Sequence, residues 1–345
     1  MSAPRKDVEI ALEPDPMQIT FWQRTIGAFC LTSFVAIWIA SIASPFILAA
    51  TTYLGYYSLA IVIVLISIIA YLPWEKGILA NSVRYVIKTY TPCYFKSIVM
   101  AFQGGLPKQS NTTTDKNDRK KSDDNNVEPQ TFYAIHPHGA FCIGWAMLFC
   151  HDVMQHVRFC FAPALYASPF FRVFARVTGN PGSAAKFAMQ SYLQRGESVA
   201  LPPGGFEEAT LSCTTQDRVF IRKRTGFIRL CLQYGVRVRP VYVFGEKDCY
   251  WNIQGCFRQR LAVNRYGIPT IVPWGCAWCP LLPRRNVPLH IVVGPPITMP
   301  HIRHPSPQDV QKWHATYIVA LQKLFDEHKE LHDNGANKEM KLEIW

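Results

Sequence analysis

Apolar and polar positions divide this chain into regions before any motif is considered. Residues 25–74 form a run of fifty without one Asp, Glu, Lys, Arg or His. A helix needs about 20 apolar residues to cross a bilayer core, so the run suits two helices joined by a tight turn. The spans are expected near Thr25–Leu48 and Gly55–Leu72, with Pro45, Thr51, Thr52 and Gly55 marking the break. A re-entrant hairpin dipping into one leaflet fits the same pattern. Farther along, short apolar runs alternate with helical periodicity, which predicts an α/β sheet with flanking helices. The expected strands are Thr131–His136, Ser198–Leu201, Val236–Gly245 and Leu289–Gly294. The last helix is marked by Val310, Trp313, His314, Tyr317, Leu321, Leu324 and Phe325 at three- and four-residue spacing. Ser306 caps it, with Pro307 at the first helical position and Asp309 three after the cap.

Between these regions, Gln103–Gln130 has no aromatic residue and only Leu106 and Val127 as large aliphatics. Such a stretch cannot bury enough apolar surface to order itself, so it reads as a disordered polar loop. The expected organisation is an N-terminal segment 1–24, a membrane hairpin 25–74 and a membrane-proximal segment 75–102. The polar loop 103–130, an α/β domain 131–330 and a flexible tail 331–345 follow.

Composition sharpens this picture. Charged residues make up only 17% of the chain against 49% hydrophobic, whereas soluble domains average about 25% charged. That excludes a disordered or fibrous protein and agrees with a bilayer. The formal charge is +12, and 217–303 carries nearly all of it, with fourteen Lys or Arg against Asp217, Glu246 and Asp248. Anionic partners for that stretch are a phosphate-bearing substrate or lipid headgroups. No nucleic-acid motif accompanies it, so nucleic acid is not an expected partner. Arg5, Lys6 and Arg24 precede the uncharged run and Lys76, Arg84, Lys88 and Lys96 follow it, which places both termini in the cytosol. The run starts too late and lasts too long for a cleaved signal peptide. Eleven irregularly spaced cysteines suggest free thiols on the cytosolic side. The Cys276–Cys279 pair lacks a second pair at zinc-site spacing, and no metal is expected.

Two short segments could carry chemistry. His136-Pro137-His138-Gly139 follows a predicted strand directly, and a His at a strand's carboxyl end sits where α/β sheets hold ligands. One imidazole could act as general base; a pair of turn histidines is the plainer reading. Leu201-Pro202-Pro203-Gly204-Gly205-Phe206-Glu207-Glu208 offers paired glycines, whose N–H groups could face an oxyanion, and two carboxylates that could orient an imidazole. A turn entering a helix with acidic first-turn residues explains the same letters. There is no G-x-S-x-G, P-loop, G-x-G-x-x-G or H-E-x-x-H, which argues against a serine acyl-enzyme, a nucleotide fold and a zinc hydrolase.

In combination these blocks resemble the type-2 diacylglycerol acyltransferase family and its monoacylglycerol and wax-ester acyltransferase relatives. The resemblance rests on His136–Gly139, on Pro203-Gly204-Gly205 with its acids, and on Arg224-Thr225-Gly226-Phe227. It extends through Tyr234-Gly235 and Val241–Glu246 to Val293-Gly294-Pro295-Pro296-Ile297 and His304-Pro305, covering roughly residues 20–330. It implies a glycerolipid-acyltransferase-like sheet in 131–330 and acyl transfer from acyl-CoA, a co-substrate rather than a bound cofactor, to a neutral glycerolipid hydroxyl. It also implies the endoplasmic reticulum membrane or a lipid droplet surface as the setting; self-association stays open. The resemblance makes His138 the base, with His136 beside it. The acid is not local, since Ile143 stands five after His138 and Phe141 five after His136. Glu208 is expected, ahead of Glu207, to hold the His138 imidazole. Gly139, Gly204 and Gly205 form the oxyanion turn, and Arg222, Lys223 and Arg224 bind the CoA phosphates. Met340–Ile344 looks like a retrieval signal.

Overall fold

A computed structural model describes residues 7–12, 18–72, 80–107, 129–179, 181–330 and 339–345. The uncharged run forms α1 (Phe21–Tyr53) and α2 (Tyr57–Tyr71). Thr20 caps α1 reciprocally: its hydroxyl accepts from the Gln23 N–H at 3.2 Å while the Gln23 side chain accepts from the Thr20 N–H at 2.8 Å. Pro45 does not interrupt α1, and the break falls only at 54–56, where Gly55 takes a positive φ of 79°. Thr51 and Thr52 were expected to help end the helix. Their hydroxyls instead bond back to the Ile47 and Leu48 carbonyls, each at 2.8 Å, and remain inside it. α1 is the one helix among the described residues long and apolar enough to cross a membrane, and only 22% of its most apolar stretch is buried. The 15 residues of α2 span roughly 22 Å, short of a bilayer core.

The main sheet has eight strands: β1 (Val8–Ala11), β2 (Ser97–Phe102), β3 (Thr131–His136), β4 (Arg158–Phe161), β5 (Pro181–Ser183), β6 (Val199–Leu201), β8 (Arg237–Phe244) and β11 (Pro288–Val293), in the order β1-β2-β11-β8-β3-β6-β4-β5. All four expected strands are present within a residue or two. The sheet nevertheless starts before Thr131. Ser97–Phe102, assigned to a membrane-proximal segment, pairs in parallel with β11, and Val8–Ala11 pairs antiparallel with β2. Six residues between a membrane-type run and a polar loop, whose partners lie at Val8–Ala11 and Pro288–Val293, carry no local strand signal strong enough to separate them from the membrane-proximal segment.

Strand alternation sends the two faces of β3 to different layers. Tyr133 and Ile135 join a core with α1, α3 (Ala80–Tyr90), α4 (Ile143–Cys150), α5 (Pro163–Ala167) and α6 (Pro169–Thr178). Phe132 and Ala134 join the opposite core, with α7 (Lys186–Gln194), α9 (Gly226–Tyr234) and α11 (Pro307–His328). The helix α8 (Gly205–Leu211) follows β6. α11 has the predicted cap, the Ser306 hydroxyl accepting from the Asp309 N–H at 3.1 Å. α10 (Phe257–Asn264) lies beside a two-stranded ribbon of β9 (Trp251–Asn252) and β10 (Pro273–Trp274).

The C-terminal residues are not a loose tail. β12 (Leu342–Ile344) pairs in parallel with β7 (Asp217–Val219), and the Trp345 N–H donates to the Val219 carbonyl at 2.9 Å. Met340, Leu342 and Ile344 alternate onto the α11-side core, while Glu343 turns outward to Arg218 at 2.8 Å. The residues resembling a retrieval signal are thus held in or beside a strand. Residues 331–338, and 108–128 of the polar loop, lie outside the described residues.

Candidate active site

Strand β3 ends at His136, and the two histidines of the following turn face different surroundings. His136 continues the alternation of Phe132 and Ala134, so its ring points into the α11 layer. It is fully buried. Its Nδ1 lies 3.0 Å from each Glu208 carboxylate oxygen, and its Nε2 lies 3.0 Å from the Tyr317 hydroxyl. A carboxylate only accepts, so Nδ1 donates. Burial holds the Tyr317 phenol well above its ordinary pKa, and it keeps its proton.

Glu208 ties this layer to the turn. Its Oε1 also accepts the His138 backbone N–H at 2.7 Å, and its Oε2 accepts the Phe220 N–H at 2.8 Å. Burial by itself would raise its pKa; the facing His136 imidazole and the N–H donors outweigh that and hold it below the ordinary glutamate value. Gly204 leaves room for this carboxylate, since a Cβ there would lie 2.1 Å from Glu208 Oε2. Gly139, at φ 58°, makes the same allowance for Glu246, whose Oε1 would lie 2.4 Å from an added Cβ.

His138 faces the other way. It lines a cavity of about 360 Å³ with Trp38, Trp145, Phe206, Glu207 and Arg224 among its walls. Its Nδ1 donates to the Gly139 carbonyl at 3.0 Å, which leaves Nε2 as the nitrogen with the lone pair. Burial lowers its pKa, favouring the neutral ring. Trp38 brings α1 into this wall, its ring edge-on with centroids 6.5 Å apart. Glu207 pairs with Arg224 at the same cavity. Among the described residues no cluster of three or more His, Cys, Asp or Glu side chains is placed to hold a metal.

A family model described as "Diacylglycerol acyltransferase" matches residues 120–344, well over half of the chain. The chain belongs to the diacylglycerol acyltransferase family. Human acyl-CoA wax alcohol acyltransferase 2 is 32% identical over 61% of this chain and 68% of its own length. Human 2-acylglycerol O-acyltransferase 3 is 32% identical over 59% and 66%, and Xenopus tropicalis diacylglycerol O-acyltransferase 2 is 29% identical over 59% and 62%. These names differ in the acceptor while the identities are nearly equal, so identity does not choose among them. The solved 1-acyl-sn-glycerophosphate acyltransferase PlsC from Thermotoga maritima aligns with 87% of this chain and 96% of its own at 14% identity and a TM-score of 0.39, too loose a likeness to argue from.

Within this family member, the expected residues sort into three groups. His136, His138 and Glu208 come together, but the expected pairing is corrected: Glu208 holds the His136 ring and only the backbone of His138. Strand alternation puts the His136 ring on the side of α8 and α11, and because β3 ends there, the turn beyond Pro137 carries the His138 ring to the cavity instead. Of the glycines, Gly205 lines the cavity, its N–H donating to the Pro202 carbonyl at 3.3 Å. Gly139 and Gly204 do not line it and serve as clearances for carboxylates. Of the basic trio, Arg224 reaches the cavity; Arg222 donates to the Ile344 carbonyl at 2.9 Å, and Lys223 is exposed. Most cations of 217–303 have structural posts too: Arg239 is buried against the Gln103 carbonyl, and Lys247 pairs with Asp217.

Three residues of the site went unread in the sequence. Tyr317 was placed in an apolar stripe; its signal was a hydroxyl on a buried face, which must find a partner. Trp38 lay inside an uncharged run with nothing to single it out. Glu246 closes a family block, and its carboxylate accepts the Ile143 and Gly144 N–H groups at 3.0 and 2.7 Å, the first amides of α4.

Proposed function

We propose that this acyltransferase moves a fatty acyl group from acyl-CoA to the free hydroxyl of diacylglycerol, forming triacylglycerol, with His138 as general base and no acyl-enzyme. The observation that carries the reading is the His138 ring: it lines the cavity, its Nδ1 proton is committed to Gly139, and burial keeps it neutral. Nε2 takes the proton of the acceptor hydroxyl as that oxygen attacks the thioester carbonyl. The C–O bond forms, the C–S bond breaks, and the imidazolium returns its proton to the departing CoA thiolate. Glu208 acts at one remove: by fixing His136 and the His138 N–H it positions the base. Arg224, with Arg222 and Lys223 outside the cavity, supplies charge for the CoA phosphates. Of the three glycines, Gly205 lines the cavity, and its turn is the candidate to face the developing oxyanion.

The mainly apolar cavity wall suits a neutral lipid, and α1 contributes Trp38 to that wall directly. A site built partly from a lipid-facing helix gives a bilayer-dissolved acceptor a short route to His138. In this reading α1 and α2 sit in the endoplasmic reticulum membrane with both termini cytosolic, and the same anchor suits a lipid droplet surface. Diacylglycerol is preferred; monoacylglycerol and long-chain alcohols are the acceptors in the relatives' names that a similar cavity would take. The test is expression in a host lacking neutral-lipid synthesis, followed by lipid profiling. Triacylglycerol is expected. Wax ester would replace diacylglycerol with an alcohol as acceptor, and no new neutral lipid from membrane-inserted protein would overturn acyl transfer altogether.

A further inference from the structure

Residues 249–285 form an excursion between β8 and β11 whose polarity is inverted. Asn252, Arg260 and Asn264 turn their hydrogen-bonding groups inward. Asn264 Oδ1 accepts the Thr270 N–H at 3.1 Å, Asn252 Oδ1 accepts the Val272 N–H at 3.1 Å, and the Arg260 guanidinium donates to the Thr270 carbonyl at 2.7 Å. Asn264 Nδ2 in turn donates to the Thr210 hydroxyl at 2.7 Å, anchoring the excursion on α8. Many of its large apolar side chains point out of this pinned framework, although Tyr250 and Leu282 join the core. Tyr266 is 84% exposed and Trp278 79%, and Ile268, Val272, Trp274 and Trp251 are about half exposed. Trp251 and Trp274 stand directly opposite each other in the β9–β10 ribbon, so both project from one side of it. A segment pinned by internal hydrogen bonds that displays several indoles and aliphatics on its outside marks a contact surface rather than ordinary surface composition.

Charge and position say what covers this face. The stretch holds five arginines and no acidic residue. Arg258, Arg265 and Arg285 are exposed, and Arg284 lies over the Trp251 ring at 4.5 Å. Tryptophan, tyrosine and arginine together are the side chains that settle at the boundary between headgroups and acyl chains, the rings half-immersed and the guanidinium reaching phosphate. The face also adjoins the apolar surface of α1: Gly267 and Pro269, on either side of Ile268, share the walls of a cavity of about 410 Å³ with Ile42 and Pro45 of α1. Ile42 and Phe46 on that helix are themselves exposed.

We propose that 249–285 is a second membrane-contact surface, separate from α1 and α2, which seats on the headgroup layer of an anionic bilayer. It holds the domain flat against the membrane and keeps the α1 side of the cavity at the level of the acyl chains. This contact stands apart from the acyl-transfer reading, since Trp274, Trp278 and the exposed arginines do not line the His138 cavity.

The test uses the full chain reconstituted into vesicles whose phospholipid acyl chains carry bromine, which quenches tryptophan on contact. The variant Trp274→Phe/Trp278→Phe removes two of the nine tryptophans and keeps an aromatic ring at each position. If both indoles are immersed, the quenched share of the emission falls in the variant. If they face water, that share rises, and the proposal is overturned; an unchanged share overturns it as well. A second variant, Arg258→Gln/Arg265→Gln/Arg285→Gln, should lose quenching in phosphatidylserine–phosphatidylcholine vesicles and match the wild type in phosphatidylcholine alone. Equal quenching in both lipids would remove the anionic headgroup from the account. A chemically cross-linked dimer lost in the tryptophan variant would give the face to a second copy of the chain instead. Acyl transfer by both variants in detergent micelles should equal that of the wild type, so failure of this contact and failure of the catalytic reading are told apart.

Discussion

Glu208 and Glu246 grip the two ends of the loop between β3 and α4, each fully buried and each accepting backbone N–H groups. Glu208 faces the His136 imidazole and is held below the ordinary glutamate range. Glu246 accepts from two amides, with no cationic side chain facing it among the described residues, and burial pushes it up to about 7. Residue type and depth are the same; the imidazole facing Glu208, with no counterpart facing Glu246 among the described residues, decides the outcome. One end of the loop is therefore fixed by a committed anion, and the other by a group that changes charge near neutral pH.

Among the groups that hold the loop, the largest effect should come from Glu208→Gln. A glutamine offers one acceptor oxygen and a donor group where two N–H groups and an imidazole converge, so a buried pair is broken at a cost of about 3–5 kcal/mol. Turnover should fall about a hundredfold through misplacement of His138, visible in membrane assays, while Glu207→Gln costs far less. Equal losses from the two variants would break the contrast. Gly204→Ala strikes the same carboxylate from outside, and the overpacked methyl should cost about 1–3 kcal/mol with a smaller drop in turnover. Tyr317→Phe leaves the buried His136 Nε2 without its partner, and a loss of about 1–2 kcal/mol is expected in thermal unfolding, with only a few-fold change in rate.

Glu246→Gln should disturb turnover least and reveal itself in pH dependence. Its folded pKa lies above the unfolded value near 4.5, so the stability it contributes is fully present below that value and is lost as pH rises through about 7. Glu208 works in the opposite sense, contributing above the ordinary carboxylate range and losing that contribution as pH falls through its depressed folded value. Thermal unfolding of the detergent-solubilised chain across this range should show the wild type losing stability between pH about 4.5 and 7. The Glu246→Gln variant should show a flatter profile.

Periodicity found the elements that announce themselves locally. Thr131–His136 and the α11 stripe need only their own sequence to be recognised, and both stand where they were expected. Val8–Ala11 does not: it has four residues, and its partner β2 lies nearly ninety residues on. The C-terminal strand was unreadable for the same reason, since Leu342–Ile344 becomes a strand only beside Asp217–Val219. At the site, the chain singles out two imidazoles and a carboxylate that the structure brings together, but not which of them meet. That depends on where β3 ends: its last residue, His136, turns toward α11, and the turn after it brings His138 beside Trp38, on a helix a hundred residues earlier. Gly139 and Gly204 show the limit most plainly. Both are legible as positions that need glycine, and in the fold the room each leaves is taken by a buried carboxylate, Glu246 and Glu208.

The central claim is that His138 performs the proton transfer while His136 and Glu208 hold it in place. The most direct test is acyl transfer from labelled acyl-CoA to diacylglycerol by His138→Ala in membranes, at matched levels of inserted protein. The account predicts a rate lower by about 10²–10⁴-fold with thermal stability close to wild type. A His138→Ala enzyme working within a few-fold of the wild type would contradict it.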